Sequence, residues 1–187
     1  MFLDEIFPTP IWGTDLKLDL DSIMYWAYLE KEKDEGRLVS NVGGWQSNDY
    51  KEFDRTPLKP LVEAIAKMAA VASNELGIPE PADSIVNLWV NINPRLSYNQ
   101  VHVHPECKLS GVFYVKADEN AGNLCFTRGS NDFALGTIAP NMTRYSNAEY
   151  EYTPIPNRLI IFPAWVMHHV KANLSFSDRI SLSFNLR

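Results

Sequence analysis

The sequence predicts an α+β protein that is mainly β, with short strands forming a sandwich or barrel and two helices packed on it. Of its 187 residues, 45% are hydrophobic and 21% are charged, which is an ordinary globular composition. Helical periodicity occurs in the first half, and short β-rich segments separated by turn residues follow. This length suits one domain over residues 1–187. We expect residues 1–83 to be a mostly helical support and residues 84–187 to be the β core.

The first helix is predicted from Ser22 to Glu35. Asp19 or Asp21 is expected to be its N-cap, because a carboxylate accepts hydrogen bonds from the free N–H groups of the first turn. Gly36 marks its end, since glycine commonly follows the last helical residue. Its apolar face comprises Ile23, Trp26, Ala27 and Leu29.

The second helix is predicted from Pro57 to about Leu76, with Thr56 as its N-cap and proline at its first position. Gly77 and then Pro79 end it. The apolar residues recur every three or four positions, which predicts one buried face. They are Leu58, Leu61, Ile65, Met68 and Ala72.

Seven strands are predicted after these helices, from their β-branched and aromatic content. They are Ile85–Ile92, Gln100–His104, Leu109–Lys116, Asn123–Thr127, Glu151–Ile155, Arg158–Phe162 and Ile180–Leu186. The Gly-rich segment 40–47 is predicted to be extended or a loop, with Trp45 lining a substrate entrance. Residues 128–147 are polar and irregular, so we expect a long loop at the mouth of a site.

Composition excludes several classes of function. A net charge of −6 argues against binding long nucleic acids through phosphate contacts. No apolar run is long enough for a membrane span, and the acidic N-terminus does not resemble a signal peptide. Cys107 and Cys125 do not form a disulfide framework, so we expect a cytoplasmic protein. The oligomeric state stays open. A homodimer is one option. The apolar N-terminal residues could dock on a partner, or they could dock on the barrel of their own chain.

The four histidines form two pairs, His102 with His104 and His168 with His169. Side chains two residues apart on a strand emerge from the same face, so His102 and His104 would point into one space. This geometry suits two ligands of one transition metal.

A third ligand is expected from the second pair. If Val170 points into the core, then His168 points the same way and His169 points outward, because strand side chains alternate. We therefore predict His168 as the distal ligand and keep His169 as the alternative.

Arg179 lies eleven residues after His168 and begins an alternating segment. Arg179, Ser181 and Ser183 should share one face of the strand. An arginine that faces the inside of a barrel is costly unless it meets an anion. A guanidinium group binds a carboxylate through two hydrogen bonds, and a serine hydroxyl can add another. These residues predict a carboxylate-binding pocket beside the metal.

The sequence resembles the iron(II)- and 2-oxoglutarate-dependent oxygenases, whose motifs follow the order His-x-Asp/Glu, a distal His and then an Arg. More closely, it resembles a subgroup that is common in marine bacteria and phages. The matching stretches are residues 40–47, 89–91, 102–105 (HVHP), 109–114 (LSGVFY), 162–165 (FPAW), 168–170 and 179–185 (RISLSFN).

The resemblance implies a double-stranded β-helix, which is a jelly-roll or cupin-like barrel, with the N-terminal helices packed on it. It also implies an oxidoreductase that uses Fe(II), 2-oxoglutarate and O2 to hydroxylate a small molecule or a protein side chain, releasing succinate and CO2. The implied metal ligands are His102, His104 and His168. The implied cosubstrate-binding residues are Arg179, Ser181, Tyr114 and Asn91.

One position departs from the family pattern, because His104 stands where the wider superfamily has a carboxylate. Three imidazoles would leave the metal more positive, and dianionic 2-oxoglutarate could compensate. Glu106 is the alternative ligand, beyond Pro105. We favour His104.

Two other functions compete with the oxygenase. A cupin-like metalloenzyme would share the barrel and the histidines, but its pattern requires a Glu where this chain has Lys108 or Leu109, and it does not need Arg179. A metal-binding or purely structural β-barrel module is the non-enzymatic alternative.

Overall fold

The computed structural model describes residues 1–53, 56–78, 85–128, 143 and 145–187, which form two helices and eleven strands. The helices are α1 (Leu20–Lys33) and α2 (Lys59–Glu75). The strands are β1 (Trp12–Asp15), β2 (Asn41–Val42), β3 (Trp45–Gln46), β4 (Ile85–Asn93), β5 (Tyr98–His102), β6 (Leu109–Lys116), β7 (Leu124–Thr127), β8 (Glu149–Tyr152), β9 (Arg158–Pro163), β10 (His168–Val170) and β11 (Arg179–Leu186).

The strands form two antiparallel sheets. The large sheet has six strands in the order β1-β9-β6-β11-β4-β3, and the small sheet has five in the order β2-β5-β10-β7-β8. Consecutive strands β4, β5 and β6 alternate between the sheets, as do β9, β10 and β11. The predicted mainly β architecture with two helices is confirmed.

The larger core lies between the helices and the outer face of the large sheet. Ile23 of α1 and Ile65 of α2 belong to the same buried cluster as Leu182 and Phe184 of β11. A second cluster between the sheets includes Phe162. Alternation along the strands separates the faces, so the residues between those core positions point toward the small sheet.

Helix α1 follows the prediction at its start. The Asp19 carboxylate accepts a hydrogen bond from the backbone N–H of Ser22 at 3.1 Å, so Asp19 is the N-cap. The helix ends at Lys33, two residues earlier than predicted. Asp34 adopts an extended conformation there, and its carboxylate accepts a hydrogen bond from the Gly36 N–H.

Helix α2 begins at Lys59, two residues later than predicted, and its N-cap is Leu58, so the predictions of Thr56 as the N-cap and Pro57 as the first helical residue were wrong. Thr56 and Pro57 lie in a preceding turn, where the Thr56 hydroxyl accepts a hydrogen bond from the Leu58 N–H. That turn inserts Leu58 fully into the core. Gly77 follows the helix with a φ of +67°, as the predicted end requires, whereas Pro79 lies outside the described residues.

All seven predicted strands occur, β6 with the predicted ends and the other six with ends shifted by one to three residues. Strand β5 ends at His102 instead of His104, and β8 covers Glu149–Tyr152 instead of Glu151–Ile155. Strands β1 and β10 were not predicted, and β2 and β3 lie in the segment 40–47 that was predicted to be extended or a loop. Strands β2, β3 and β10 have only two or three residues, too few to show a period. The segment 40–47 contains β2 and β3 on either side of Gly43, whose φ is +72°. Most of the predicted loop 128–147 lies outside the described residues.

Two further features concern the surface. The N-terminal apolar residues do not pack on the barrel, and the exposed ones include Phe2, Leu3, Ile6 and Phe7. In the described ranges, no helix is both long enough and apolar enough to span a bilayer.

Candidate active site

A cleft between the two sheets contains all seven residues predicted for the metal and cosubstrate. Its space, including the open mouth, is about 530 Å³. No Asp or Glu occurs among the described residues that line it. Those residues are Ser40, Trp89, Asn91, Asn99, His102, His104, Ser110, Gly111, Val112, Tyr114, Leu124, Phe162, His168, Val170, Arg179, Ser181 and Ser183.

Three histidines meet in the small sheet. His102 of β5 and His168 of β10 are direct cross-strand partners, so their side chains share the inner face. His104 follows the end of β5, where its N–H donates to the carbonyl of Ala164 at 3.0 Å. The ring centroids are 4.3 Å apart for His102 and His168, and 5.1 Å apart for the other two pairs. The candidate ligand atoms of all three lie within 4.8 Å of one another.

Backbone carbonyls orient two of these imidazoles. The Nδ1–H of His102 donates to the Gln100 carbonyl at 2.7 Å, and the Nδ1–H of His168 donates to the Val166 carbonyl at 2.9 Å. A carbonyl oxygen can only accept, so these bonds place the proton on Nδ1. The Nε2 lone pair of each ring is therefore available to a metal.

Burial keeps the three rings neutral near pH 7. Desolvation, with the neighbouring His102, lowers the pKa of His104 to about 4, and the same causes lower that of His168 to about 3. The pKa of His102 is also lowered, chiefly by burial. A neutral imidazole is the form that binds a metal, so the site does not need to lose protons first.

The two alternative ligands lie elsewhere. His169 points to the outer face of the small sheet, where its Nε2 is 3.0 Å from the Glu149 carboxylate. The Glu106 side chain is 81% exposed and pairs with Arg187. Neither lines the cleft, so the described cleft brings together His102, His104 and His168.

Arg179 is buried at the start of β11, with 2% of its surface exposed. Its Nη1 donates to the carbonyls of Ala121 at 2.6 Å, Gly122 at 3.2 Å and Lys171 at 3.3 Å. These bonds fix one edge of the guanidinium group. No described carboxylate forms an ion pair with Arg179, and burial lowers its pKa. A buried cation without an anionic partner is costly, which indicates a site for an anion.

Three polar side chains lie next to Arg179 in the large sheet, one on the same strand and two on the neighbouring strands. Ser181 of β11 is the cross-strand partner of Asn91 on β4 and of Tyr114 on β6. Burial raises the pKa of Tyr114 to about 12, although nearby Arg179 opposes this, so the phenol remains a hydrogen-bond donor. The Asn91 amide donates to the Ser183 hydroxyl at 3.1 Å, and its buried Oδ1 accepts no hydrogen bond from the described residues.

The sequence-based prediction placed the wrong tryptophan at the cleft, Trp45 instead of Trp89. Trp45 does not line it, because its indole N–H donates to the Asp34 carbonyl and its ring packs against the larger core. Trp89 lines the cleft instead. The available signal was its spacing, since Trp89 is two residues before Asn91 on the same strand and therefore shares its face.

Comparison with known proteins establishes the family of this chain. Residues 87–185, more than half of the chain, match the model of the family described as "Putative 2OG-Fe(II) oxygenase". The chain belongs to this oxygenase family. The match confirms the predicted oxygenase function and its use of Fe(II), 2-oxoglutarate and O2, and it does not favour the cupin-like or binding-module alternatives. No curated protein matches the oxygenase significantly.

Solved structures share the fold at low sequence identity. A prolyl-4-hydroxylase from Pseudomonas putida has a TM-score of 0.65 and 13% identity, and the match covers 96% of this chain and 92% of that one. The viral collagen prolyl hydroxylase of Paramecium Bursaria Chlorella virus-1 has a TM-score of 0.63 and 11% identity, covering 95% of each chain. A non-haem alpha-ketoglutarate-dependent epimerase from nogalamycin biosynthesis has a TM-score of 0.67 and 14% identity, covering 96% and 78%. The predicted double-stranded β-helix is confirmed.

The cleft residues of this oxygenase fit Fe(II) and 2-oxoglutarate, the metal and the cosubstrate that the family implies. Imidazole nitrogen is a suitable ligand for iron, and three such donors converge in the cleft. The buried guanidinium of Arg179 matches the charge and planar geometry of a carboxylate.

Proposed function

We propose that this oxygenase hydroxylates a C–H bond in a small molecule or a protein side chain, with release of succinate and CO2. One observation carries the proposal: a single cleft holds three neutral imidazoles together with a buried guanidinium that no described carboxylate neutralises. The first group suits a metal and the second suits the remote carboxylate of 2-oxoglutarate. A purely structural barrel would not need both.

His102, His104 and His168 are the proposed ligands of Fe(II). When bound, the iron supplies the chemistry by which O2 oxidises 2-oxoglutarate and the substrate. The Nδ1 hydrogen bonds of His102 and His168 direct the opposite nitrogen toward the metal. We propose His104 in place of Glu106 as the third ligand, because the Glu106 carboxylate is exposed and paired with Arg187.

Arg179 is the proposed partner of the C5 carboxylate of 2-oxoglutarate. Its Nη1 is held by three carbonyls, which leaves the rest of the guanidinium group to donate to a ligand in the cleft. Ser181 and Tyr114 would each donate a hydroxyl hydrogen bond to the same cosubstrate. Asn91 would accept or donate through an amide whose oxygen is otherwise unsatisfied.

The remaining assignments are finer proposals. The net charge of −6 supports a small molecule or a protein side chain over a long nucleic acid. Two free cysteines, Cys107 and Cys125, support a reducing cytoplasm. The motifs at 102–105 and 109–114 support the marine bacterial and phage subgroup. The exposed apolar N-terminus makes a homodimer the assembly to test first.

Anaerobic titration tests the proposal. Fe(II) and then 2-oxoglutarate are added to metal-free protein, and the visible spectrum is recorded. We expect a metal-to-ligand charge-transfer band in the wild type, no band in His102→Ala and a weaker band in Arg179→Ala at equal 2-oxoglutarate. The matched control is Arg158→Ala, because Arg158 pairs with Asp15 on the surface, away from the cleft.

The outcomes separate the competing functions. Tight iron binding without the band would contradict 2-oxoglutarate as the cosubstrate. A band that survives Arg179→Ala unchanged would contradict the role of this arginine. Once the band is established, a substrate screen with O2 follows, with succinate release and oxygen incorporation as the measurements.

A further inference from the structure

A second group of ligand-type side chains lies on the outer face of the small sheet, opposite the cleft. His169 of β10 is the cross-strand partner of Cys125 on β7, and Cys125 is in turn the partner of Glu151 on β8. Glu149 lies two residues before Glu151 and therefore shares its face. The sheet thus aligns a thiol, an imidazole and two carboxylates across three strands.

The atoms of three of these residues are already close. The candidate ligand atoms of Cys125, Glu149 and His169 lie within 4.8 Å of one another. The His169 Nε2 is 3.0 Å from a Glu149 oxygen. Cys125 is fully buried, and its thiol donates a long hydrogen bond to the Asn123 carbonyl at 3.7 Å.

We propose that Cys125, His169 and Glu149 form a second metal site, which binds a thiophilic divalent cation such as Zn²⁺. A tetrahedral zinc with bonds of about 2.3 Å to sulfur and about 2.0 Å to nitrogen separates those two donors by roughly 3.5 Å. The observed donor atoms, which all lie within 4.8 Å of one another, are close to that spacing. On binding, the Cys125 thiol releases its proton to solvent, and the thiolate and the Glu149 carboxylate together neutralise the dication.

Lys171 is placed to compete with a metal ion for the carboxylates of this site. Its Nζ is 2.5 Å from a Glu151 oxygen and 3.9 Å from a Glu149 oxygen. A metal ion bound to Glu149 must repel or displace this ammonium group, whereas Glu151 can retain it. Removing the Lys171 charge should therefore strengthen metal binding and free Glu151 as a further ligand.

The site differs from the cleft in one property that a measurement can detect. The cleft histidines provide only nitrogen ligands, whereas the outer site includes sulfur. A thiolate-to-metal charge-transfer band therefore reports the outer site alone, even when metal fills both sites. This inference does not depend on the proposed function, because it concerns residues outside the cleft.

Anaerobic titration of the full-length, reduced protein with Co²⁺ tests the inference. We expect an ultraviolet thiolate-to-cobalt band in the wild type, in Cys107→Ser and in the cleft variant His104→Ala. The band should disappear in Cys125→Ser. In Lys171→Met it should appear at roughly tenfold lower free cobalt, a typical size for a change beside metal ligands.

Two results would overturn the proposal. One is the absence of a thiolate band in the wild type at saturating cobalt, and the other is a band that survives Cys125→Ser but is lost in Cys107→Ser. If Cys125→Ser does not fold, as judged by circular dichroism, Glu149→Gln decides the question because it keeps both thiols. If the thiolate band of Glu149→Gln needs more cobalt to form but reaches the wild-type intensity at saturation, the site is supported. If the band forms at the same free cobalt as in the wild type, the site is contradicted.

Discussion

The large and small sheets line the same cleft, but their outer faces, which point away from it, are covered differently. The outer face of the large sheet is covered by α1 and α2, so its strands alternate between core residues and cleft residues. On the small sheet, Val101, His169 and Glu151 face away from the cleft, and the buried cluster formed with α1 and α2 includes no described residue of that sheet. We therefore expect the large sheet to be the more stable of the two, and it holds the proposed cosubstrate residues. The small sheet holds the proposed metal ligands on a thinner support.

The largest expected effect tests this contrast in stability. Phe113 of β6 is fully buried between the large sheet and the helices, and Val101 of β5 is 55% exposed. Phe113→Ala should lower the free energy of unfolding by about 3–5 kcal/mol, because it leaves a cavity. Val101→Ala should change it by less than about 0.5 kcal/mol. Urea unfolding followed by circular dichroism measures both, and equal losses would refute the contrast.

The second prediction compares the two faces of β10. His168→Ala removes an inward imidazole and should weaken Fe(II) binding by more than about 100-fold, since changes beyond the ligands already cost 10–100-fold. His169→Ala removes the adjacent outward imidazole, so the Fe(II)–2-oxoglutarate band should persist. Titrations of both variants under nitrogen give the comparison. Loss of the band in His169→Ala alone would reverse the assignment of the distal ligand.

The difference between the sheets also explains what the sequence could predict. In β11, strict alternation places Arg179 and Ser181 on the cleft face, as predicted, because the eight-residue strand is long enough to show its period. In β5 the register shifts, and Asn99 and His102 both line the cleft although they are three positions apart. His104 then reaches the cleft from beyond the strand. The His-x-His prediction of convergence was confirmed by the geometry, but not for the stated reason of one continuous strand face.

The third prediction concerns the loop that holds Arg179. Gly122 has a φ of +90°, and a Cβ there would lie 2.7 Å from the Arg179 Nη1 and 2.8 Å from the Ala172 carbonyl. Gly122→Ala should therefore strain the backbone and move the guanidinium group, at a cost of about 1–3 kcal/mol. Isothermal titration with 2-oxoglutarate in the presence of Fe(II) should show weaker cosubstrate binding with intact metal binding. The control is Gly77→Ala, which has a similar positive φ but no atom within 4 Å of its Cβ. If both variants bind 2-oxoglutarate as the wild type does, the loop does not position Arg179.

The smallest effect lies in the segment after α1, which contains β2 of the small sheet and β3 of the large sheet. The Asp34 carboxylate accepts hydrogen bonds from the Gly36 N–H at 2.9 Å and from the Asn48 N–H and side-chain amide at 3.1 and 3.0 Å. These bonds hold its pKa below the ordinary value for aspartate. The pKa of Asp34 is lower in the folded protein than in the unfolded chain. Its ionised carboxylate therefore stabilises the fold fully at pH values above the unfolded pKa, and this stabilisation is lost as the pH falls through the folded pKa.

Asp34→Ala should therefore reduce stability at pH 7 by less than about 1 kcal/mol, since water screens a partly exposed carboxylate. The difference from the wild type should shrink as the pH falls through the folded pKa of Asp34, because the wild-type carboxylate then becomes protonated. Urea unfolding at several pH values measures it, with the exposed Glu32→Gln as the control. A difference that stays constant with pH would show that the side chain acts through packing and not through its charge. Such a result would mean that the packing of residues 34–48, and not a titrating hydrogen-bond acceptor, holds α1 to β2 and β3.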